Sequence, residues 1–431
     1  MTSKERRSAD VSRIYVWAWL PGAVDPVVAG VLQATGDALD REPVLAFRYA
    51  ASYRARPEAI SLFTPELPLS DATFDPRATV HRDPLALAGC LRDAAPDAWG
   101  RRVIEAGLHA GDPLPEHTYL LGSGSDRIGA LDFQASADDY VARNSEATLD
   151  QLLHMAELVE AGDALPDSLL AATAHGTSLG GARPKALLED TGRHLIAKFS
   201  STTDTRPVVQ AEAVAMLLAA KVGLRVPAVE VVNAAGKDVL LVERFDRVTH
   251  PDGHGPVTTR RQILSMLTVL GHSEMNQRYA SYADIAHHVR TGSWVQVSDT
   301  LRELFTRLVF NVFIGNNDDH LRNHAVFWDG RQLELTPAYD LAPQPRSTRT
   351  STQAIGITRD GQRASQLWLC RQAAGEFLLT TAGAQEVIDH VQATLEDHWS
   401  EACDQARLPA AQAAHLWGRE FSNPYIFDDL P

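Results

Sequence analysis

Between residues 12 and 63 short apolar runs alternate with polar positions: RIYVWAWLPG, VVAGVLQ, PVLAFRYAASY and AISLF. Period-two alternation punctuated by Gly and Pro predicts strands joined by turns. Residues 83–108, DPLALAGCLRDAAPDAWGRRVIEAGL, carry a helical pattern that breaks near Pro96, because proline removes a donor and restricts the residue before it. Residues 117–160 hold LLGSGSDRIGALDF and then TLDQLLHMAELVEAG, a predicted helix. After the small-residue loop GTSLGGARPKA at 176–186 the pattern changes. ALLED and HLIAKFS read as two strands around a DTGR turn, VQAEAVAMLLAAKVG as an amphipathic helix, and AVEVVNAAGKDVLLVERF as a hairpin. Beyond about residue 255 mostly helix is predicted, interrupted by a polar loop at 316–323 and by LELTPAYDLAPQPRSTRTSTQ. There is no internal repeat and no low-complexity tract.

Length and composition narrow the class. The 431 residues are 45% hydrophobic and 22% charged, which fits an ordinary globular chain of two or three domains. The net charge of −15 does not favour autonomous phosphate-driven DNA binding, and a basic or DNA-bound partner suits it better. Three cysteines, Cys90, Cys370 and Cys403, occur without any C-x-x-C spacing. That argues against a disulfide framework and fits a reducing compartment. The N-terminal apolar run stops at Pro21 and Gly22, so neither a signal peptide nor a membrane span is expected, and the expected location is the cytoplasm.

The candidate chemistry sits in the polar loop. GNNDDHLRNHAVF places two carboxylates, two histidines, an arginine and several amides between two apolar elements. Asp318 and Asp319 offer a general base and a metal ligand, and Asn323 a neutral oxygen. Such hard donors suit Mg²⁺ better than Zn²⁺. Asp340, in LTPAYDLAP, follows after a strand-like segment, and D-x-x-x-x-N with a later Asp is the spacing of kinase catalytic and metal loops. His320 and His324 read as hydrogen-bonded histidines, since a zinc site would lack a third ligand. His287 and His288 read as helix residues without function.

Upstream, GTSLGGARPKALL offers backbone N–H groups with little side-chain obstruction, as phosphate approach requires. It has neither the P-loop order nor G-x-G-x-x-G, and taken alone an ordinary tight turn accounts for it better. LLGSGSDRIGAL reads as a structural turn. Lys198 stands in an alternating strand and could reach a phosphate or merely snorkel. Glu212, on the following helix, could pair with it or face solvent. No G-x-S-x-G elbow or H-E-x-x-H is present.

Taken together, SLGGARPKA, AKF, VERFDR, NNDDHLRNH and LTPAYDLAP occur in an order that resembles the HipA-like serine/threonine kinases, toxin subunits of HipBA-type toxin–antitoxin modules. LAFRYAASY, RDAAPDAWGRR and SDRIGALDF resemble the same family's N-terminal subdomain, so the resemblance spans nearly the whole chain. It implies an α+β, two-lobed protein-kinase-like fold: an N-terminal β-rich subdomain (1–172), a kinase N-lobe with Gly-rich loop and hinge (173–250), and a mainly helical C-lobe (251–431). ATP and Mg²⁺ are the implied cofactors. By position, Asp318 is the implied base, Lys198 the phosphate-contacting lysine and Glu212 its partner, with Asn323 and Asp340 the Mg²⁺ ligands. The implied ATP-binding set is Ser178, Gly180, Gly181, Lys185, Lys198, Glu243, Phe245, Asp246 (at the ribose), His320 and Asn323. Ser178 is the implied autophosphorylation site, with Thr177 as a second acceptor. A phosphate there would compete with ATP for the loop N–H groups.

The resemblance further implies a protein substrate in translation, such as an aminoacyl-tRNA synthetase, and a HipB-like helix-turn-helix antitoxin that carries the operator-DNA contacts. No membrane partner is implied. Two other classes stay open on the residues alone: a non-catalytic co-repressor with a nucleotide site, and a small-molecule phosphotransferase. Asp319 departs from the pattern, standing where the family commonly has glycine and adding charge beside the expected metals. RRQILSMLTVLG also departs, replacing an acidic stretch.

Overall fold

The computed structural model describes residues 13–35, 43–78, 83–144, 146–177, 181, 183–201, 203–252, 255–346 and 348–428. An antiparallel sheet near the N-terminus is built from β1 (Arg13–Ala18), β2 (Val27–Thr35), β3 (Val44–Tyr49), β4 (Thr73–Phe74) and β5 (Leu131–Gln134), in the order β4-β3-β2-β1-β5. A register shift between Val16 and Trp17 bends its central pair. The expected AISLF strand does not form. After Tyr49 the chain turns into a short helix, Ala51–Arg54, and Ile60 and Phe63 enter a loop instead. The Tyr49 hydroxyl fixes that loop by donating to Leu67 O at 2.6 Å and accepting from Leu62 N at 2.8 Å.

The second sheet holds β6 (Lys185–Asp190), β7 (Arg193–Phe199), β8 (Val229–Ala234) and β9 (Lys237–Glu243), ordered β6-β7-β9-β8. Its alternation is legible in β7, where Leu195, Ala197 and Phe199 are buried while His194, Ile196 and Lys198 are half-buried on the other face. The buried face of β7 packs on Trp99, Leu152 and Met155 from the N-terminal helices. Leu240 and Val242 share the other core cluster with the Val208–Val222 helix. Fully burying each such aliphatic side chain stabilises by about 1.5–3 kcal/mol. The Leu149–Ala161 helix starts with a Thr148–Gln151 capping box and stops at left-handed Gly162.

Residues 255–265 correct the helical expectation that began at about residue 255. β10 (Arg247–Asp252) and β11 (Gly255–Arg260) form a hairpin, and β12 (Gln262–Ser265) pairs with β13 (Ala325–Trp328), which pairs with β14 (Leu333–Leu335). The reason is non-local, because the partner of β12 lies some sixty positions downstream. Helices Tyr282–Thr291, Val297–Phe313 and Thr381–Gln405 are the longest of the C-terminal region. The last of these braces the Val208–Val222 helix through Lys221–Glu401 at 2.8 Å and His390 Nε2 to Val222 O at 3.0 Å. One hydrophobic cluster runs from Ile14 to Ile426 and joins all three regions of the chain. No described helix is long and apolar enough to cross a membrane.

Candidate active site

Strand pairing places Lys185 directly opposite Lys198. Two ammonium groups at one cross-strand pair are mutually unfavourable, so the site must supply carboxylates. It does. Lys198 Nζ donates to Glu212 Oε1 and, at 2.7 Å, to Asp340 Oδ1. Glu212 lies on the inner face of the Val208–Val222 helix and is 7% exposed. Burial alone would push Lys198 down, but Asp340 and Glu212 outweigh it and push it up. Lys198 in turn holds the Asp340 carboxyl well below the usual range. Lys185 is pushed down by burial and by Lys198.

The polar loop follows the Val297–Phe313 helix, whose last turn is closed by Gly315 at φ +65. A Cβ there would lie 2.5 Å from the Glu420 carbonyl oxygen, so only glycine lets the C-terminal segment approach. Asp318 is exposed to the cleft, and Asn323 is buried beneath it, donating from Nδ2 to Asp318 O at 3.2 Å. Partial loss of solvent raises the Asp318 carboxyl, as do the charges of Asp340 and Asp319, while His320 opposes them. Asp340 itself adopts φ +57, a conformation uncommon for a non-glycine residue and frequent at functional turns. Asn316 Nδ2 supports that turn by donating to Asp340 O at 3.4 Å and to Asn311 Oδ1 at 3.1 Å.

Asp319, whose charge is felt at Asp318, does not present its carboxylate at the surface of the loop. It turns into the helical core and is 2% exposed. The Tyr282 hydroxyl donates to its Oδ2, and His324 Nε2 lies 3.0 Å from its Oδ1. Asn311 Nδ2 completes the group by donating to the Tyr282 hydroxyl at 3.2 Å. Asp319 thereby anchors the loop that presents Asp318 and Asn323.

At the hinge, Glu243 ends β9 exposed, and Phe245 packs edge-on to Phe327 at 5.9 Å and against Tyr339 at 5.8 Å, next to Asp340. Asp246 is not brought to the cleft. Its carboxylate is buried between Arg244 and Arg247 at 2.8–2.9 Å and accepts Gly129 N at 2.7 Å, so a ribose could not reach it. Thr177 is also corrected as an acceptor. It is 1% exposed, and its hydroxyl donates to Ala174 O at 3.1 Å and accepts Gly124 N at 2.9 Å. Ser178 and Gly180 lie outside the described residues. Gly181 has φ +91 and sits over Lys185, with its N–H donated to Asp97 Oδ2 at 2.7 Å.

Asp97 and Trp99 escaped notice as site residues in the sequence, although RDAAPDAWGRR was visible. Trp99 N donates to Gly181 O at 3.1 Å and Trp99 Nε1 to Lys185 O at 2.8 Å, clamping this end of the Gly-rich loop to the N-terminal region. Arg322, beside the loop asparagine, lowers the Asp97 carboxyl against the effect of burial.

The donor set that faces the cleft is rich in oxygen, with Asp318, Asp340 and the Asn323 amide, and Asn317 Oδ1 and His320 Nδ1 are buried without a hydrogen-bond partner. Hard oxygens of this kind fit Mg²⁺. Among the described residues no group of three or more His, Cys, Asp or Glu side chains is placed to hold a metal ion.

A family model described as the HipA-like C-terminal domain matches residues 177–399. Sinorhizobium fredii Y4mE, named as a kinase, is 31% identical over 267 residues, covering 56% of this chain and 60% of Y4mE. The Shewanella oneidensis serine/threonine-protein kinase toxin HipA is 28% identical over 185 residues, covering 38% of this chain and 42% of that protein. The matched segments therefore span about half the length of these relatives. In three dimensions the chain is similar to one from the solved Shewanella oneidensis complex of HipA, HipB and operator DNA. The TM-score is 0.63 at 16% identity, over 96% of this chain and 100% of that one.

Proposed function

The chain belongs to the HipA-like family, and we propose that it is an ATP- and Mg²⁺-dependent serine/threonine protein kinase. The observation that carries this reading is the convergence of Lys198, Glu212 and Asp340 in one ion-paired group, with Asp318 exposed in the neighbouring loop. In this reading Asp318 accepts the proton of the substrate hydroxyl, Lys198 contacts the α/β-phosphates and Glu212 orients Lys198. Lys185, under Gly181, adds a second cation near the phosphates. Asn323 and Asp340 would hold Mg²⁺, which neutralises charge on the transferring phosphoryl group when bound. Glu243 and Phe245 would border the base. Phosphoryl transfer needs mainly such positioning and electrostatic stabilisation.

From the family we further infer a protein substrate in translation, with an aminoacyl-tRNA synthetase as the leading class, and self-inactivation by phosphorylation of Ser178. The Shewanella complex contains HipB and operator DNA, and for this chain we infer an antitoxin of the same kind that carries the DNA contacts, in keeping with a net charge of −15. Incubating the purified chain and a cell lysate with γ-labelled ATP tests the reading. A discrete labelled polypeptide supports it, label on small molecules alone points to a different phosphotransferase, and no label favours a binding module.

A further inference from the structure

The segment Arg92–Trp99 of the N-terminal region touches the Gly-rich loop at one end and the support of the polar loop at the other. Asp97 Oδ2 accepts Gly181 N at 2.7 Å, Trp99 N donates to Gly181 O at 3.1 Å, and Trp99 Nε1 donates to Lys185 O at 2.8 Å. A Cβ at Gly100 would lie 2.5 Å from Thr177 O, so the backbone also packs directly on the start of that loop. At the opposite end Asp93 Oδ2 accepts Ser265 N at 2.7 Å and Asp93 Oδ1 accepts Ser265 Oγ at 2.8 Å. Arg92 Nη1 donates to Glu274 at 3.0 Å, and Glu274 also accepts Arg322 Nη2 at 2.5 Å. Met266 N, next to Ser265, donates to His324 O at 2.8 Å. Arg322 and His324 flank Asn323, so these bonds hold the polar loop itself.

Asp97 stands at the N-cap of the Ala98–Gly107 helix, where an aspartate ordinarily accepts N–H groups of its own first turn. Its side chain makes no such capping bond. The carboxylate reaches across to the Gly181 amide instead. Burial raises that carboxyl, but Arg322 from the polar loop, the Gly181 amide and Lys185 outweigh it and lower it. Charges from the polar loop and from β6 therefore meet on one side chain.

Asp93 and Asp97 are four positions apart, a span of at most about 14 Å. Between them Ala94 O accepts Arg127 Nη1 at 3.1 Å from a guanidinium that is fully buried, and Pro96 is buried as well. So short and braced a segment is a strut. We propose that Asp93 and Asp97 are positioning residues that set the distance between the Gly-rich loop and the loop of Asp318. Asp97 seats the nucleotide phosphates through Gly181 and Lys185, and Asp93 seats Asp318 through Ser265 and His324. This rests on the kinase reading, and it makes the N-terminal region a working part of the catalytic unit. The two ends serve different steps. Freeing the Asp97 end loosens the phosphate cradle and costs nucleotide affinity. Freeing the Asp93 end misplaces the base and costs rate with nucleotide still bound.

Calorimetric titration of the full chain with Mg·AMP-PNP, together with steady-state ATP turnover, tests the proposal. Asp97→Ser keeps a good helix cap on a side chain too short to hold Gly181. Its affinity for Mg·AMP-PNP should fall about tenfold, as for one hydrogen bond to a charged group, with kcat within about twofold of wild type. Asp97→Asn keeps an acceptor oxygen of the same reach and should restore most of the affinity. Asp93→Ala should show the converse, a kcat lower by at least about tenfold at unchanged affinity. Should Asp93→Ala fail to fold, Asp93→Asn, which keeps one acceptor for Ser265, decides in its place, with a smaller fall in kcat expected and an unchanged kcat contradicting the proposal. Unchanged affinity in Asp97→Ser, a loss that Asp97→Asn does not restore, or equal losses of affinity and kcat at both positions overturns the proposal and leaves the kinase reading standing. A wild type that binds no Mg·AMP-PNP defeats both.

Discussion

Lys198 Nζ stands 2.7 Å from Asp340 Oδ1 while it also donates to Glu212. One ammonium therefore pairs with two carboxylates from elements far apart in sequence. Lys198→Met removes the ammonium that both carboxylates share and leaves Lys185 as the nearby cation. ATP turnover should fall about 10²–10³-fold, as when a single electrostatic donor is removed from an active site. Lys198→Arg should not restore it, because a planar fork cannot replace a point charge between two separate acceptors. Steady-state kinetics with ATP check both.

The Asp318 carboxyl is raised by partial loss of solvent and by neighbouring negative charge. A base works deprotonated, so the acid limb of kcat/KM should lie above the usual aspartate value of about 4. Asp340→Asn removes one source of repulsion and frees the Lys198 charge. The residual activity of that variant should show its acid limb at lower pH than wild type. A pH–rate profile of the two proteins gives the answer, and a limb moving upward would contradict the assignment.

Asp319→Ala should act mainly on folding. It strands the buried Tyr282 hydroxyl and leaves His324 without its carboxylate, at a cost of about 1–3 kcal/mol for each unsatisfied group. Denaturant unfolding should report that loss. The same loss in Asp318→Ala, whose side chain is exposed, would mean the two neighbours had been assigned the wrong way round.

Asp246→Ala removes a carboxylate shared by two buried arginines, and breaking a buried pair costs about 3–5 kcal/mol. Arg244 and Arg247 outweigh burial and hold the Asp246 carboxyl down to about 2. Because the folded value is depressed, the stability that this charge contributes is present above about pH 4 and is lost as pH falls toward 2. A folded Asp246→Ala population should keep the wild-type KM for ATP. A raised KM would return the residue to the ribose.

Local pattern revealed the β6–β9 sheet, the Val208–Val222 helix and the polar loop, because alternation and helical spacing are properties of adjacent residues. What stayed hidden was set by distant partners. β12 became a strand only by pairing with β13, and Asp319 turned inward because Tyr282 waits on another helix. Asp246 was claimed by Arg244 and Arg247, its own neighbours, in a cluster completed by Asp126 from the N-terminal region. Thr177 looked available in a loop of small residues, yet Ser123 and Gly124 cover it. The Lys198–Glu212 pair was legible as a possibility, and its third member, Asp340, required the fold.

The central claim is that Asp318 activates a hydroxyl for phosphoryl transfer. It is tested most directly by transfer of label from γ-labelled ATP to protein acceptors, with wild type and Asp318→Ala compared at equal folded concentration. Wild type should label a discrete polypeptide, and the variant should be slower by about 10²–10⁴-fold with its melting temperature unchanged. Equal rates for the two proteins would contradict the claim.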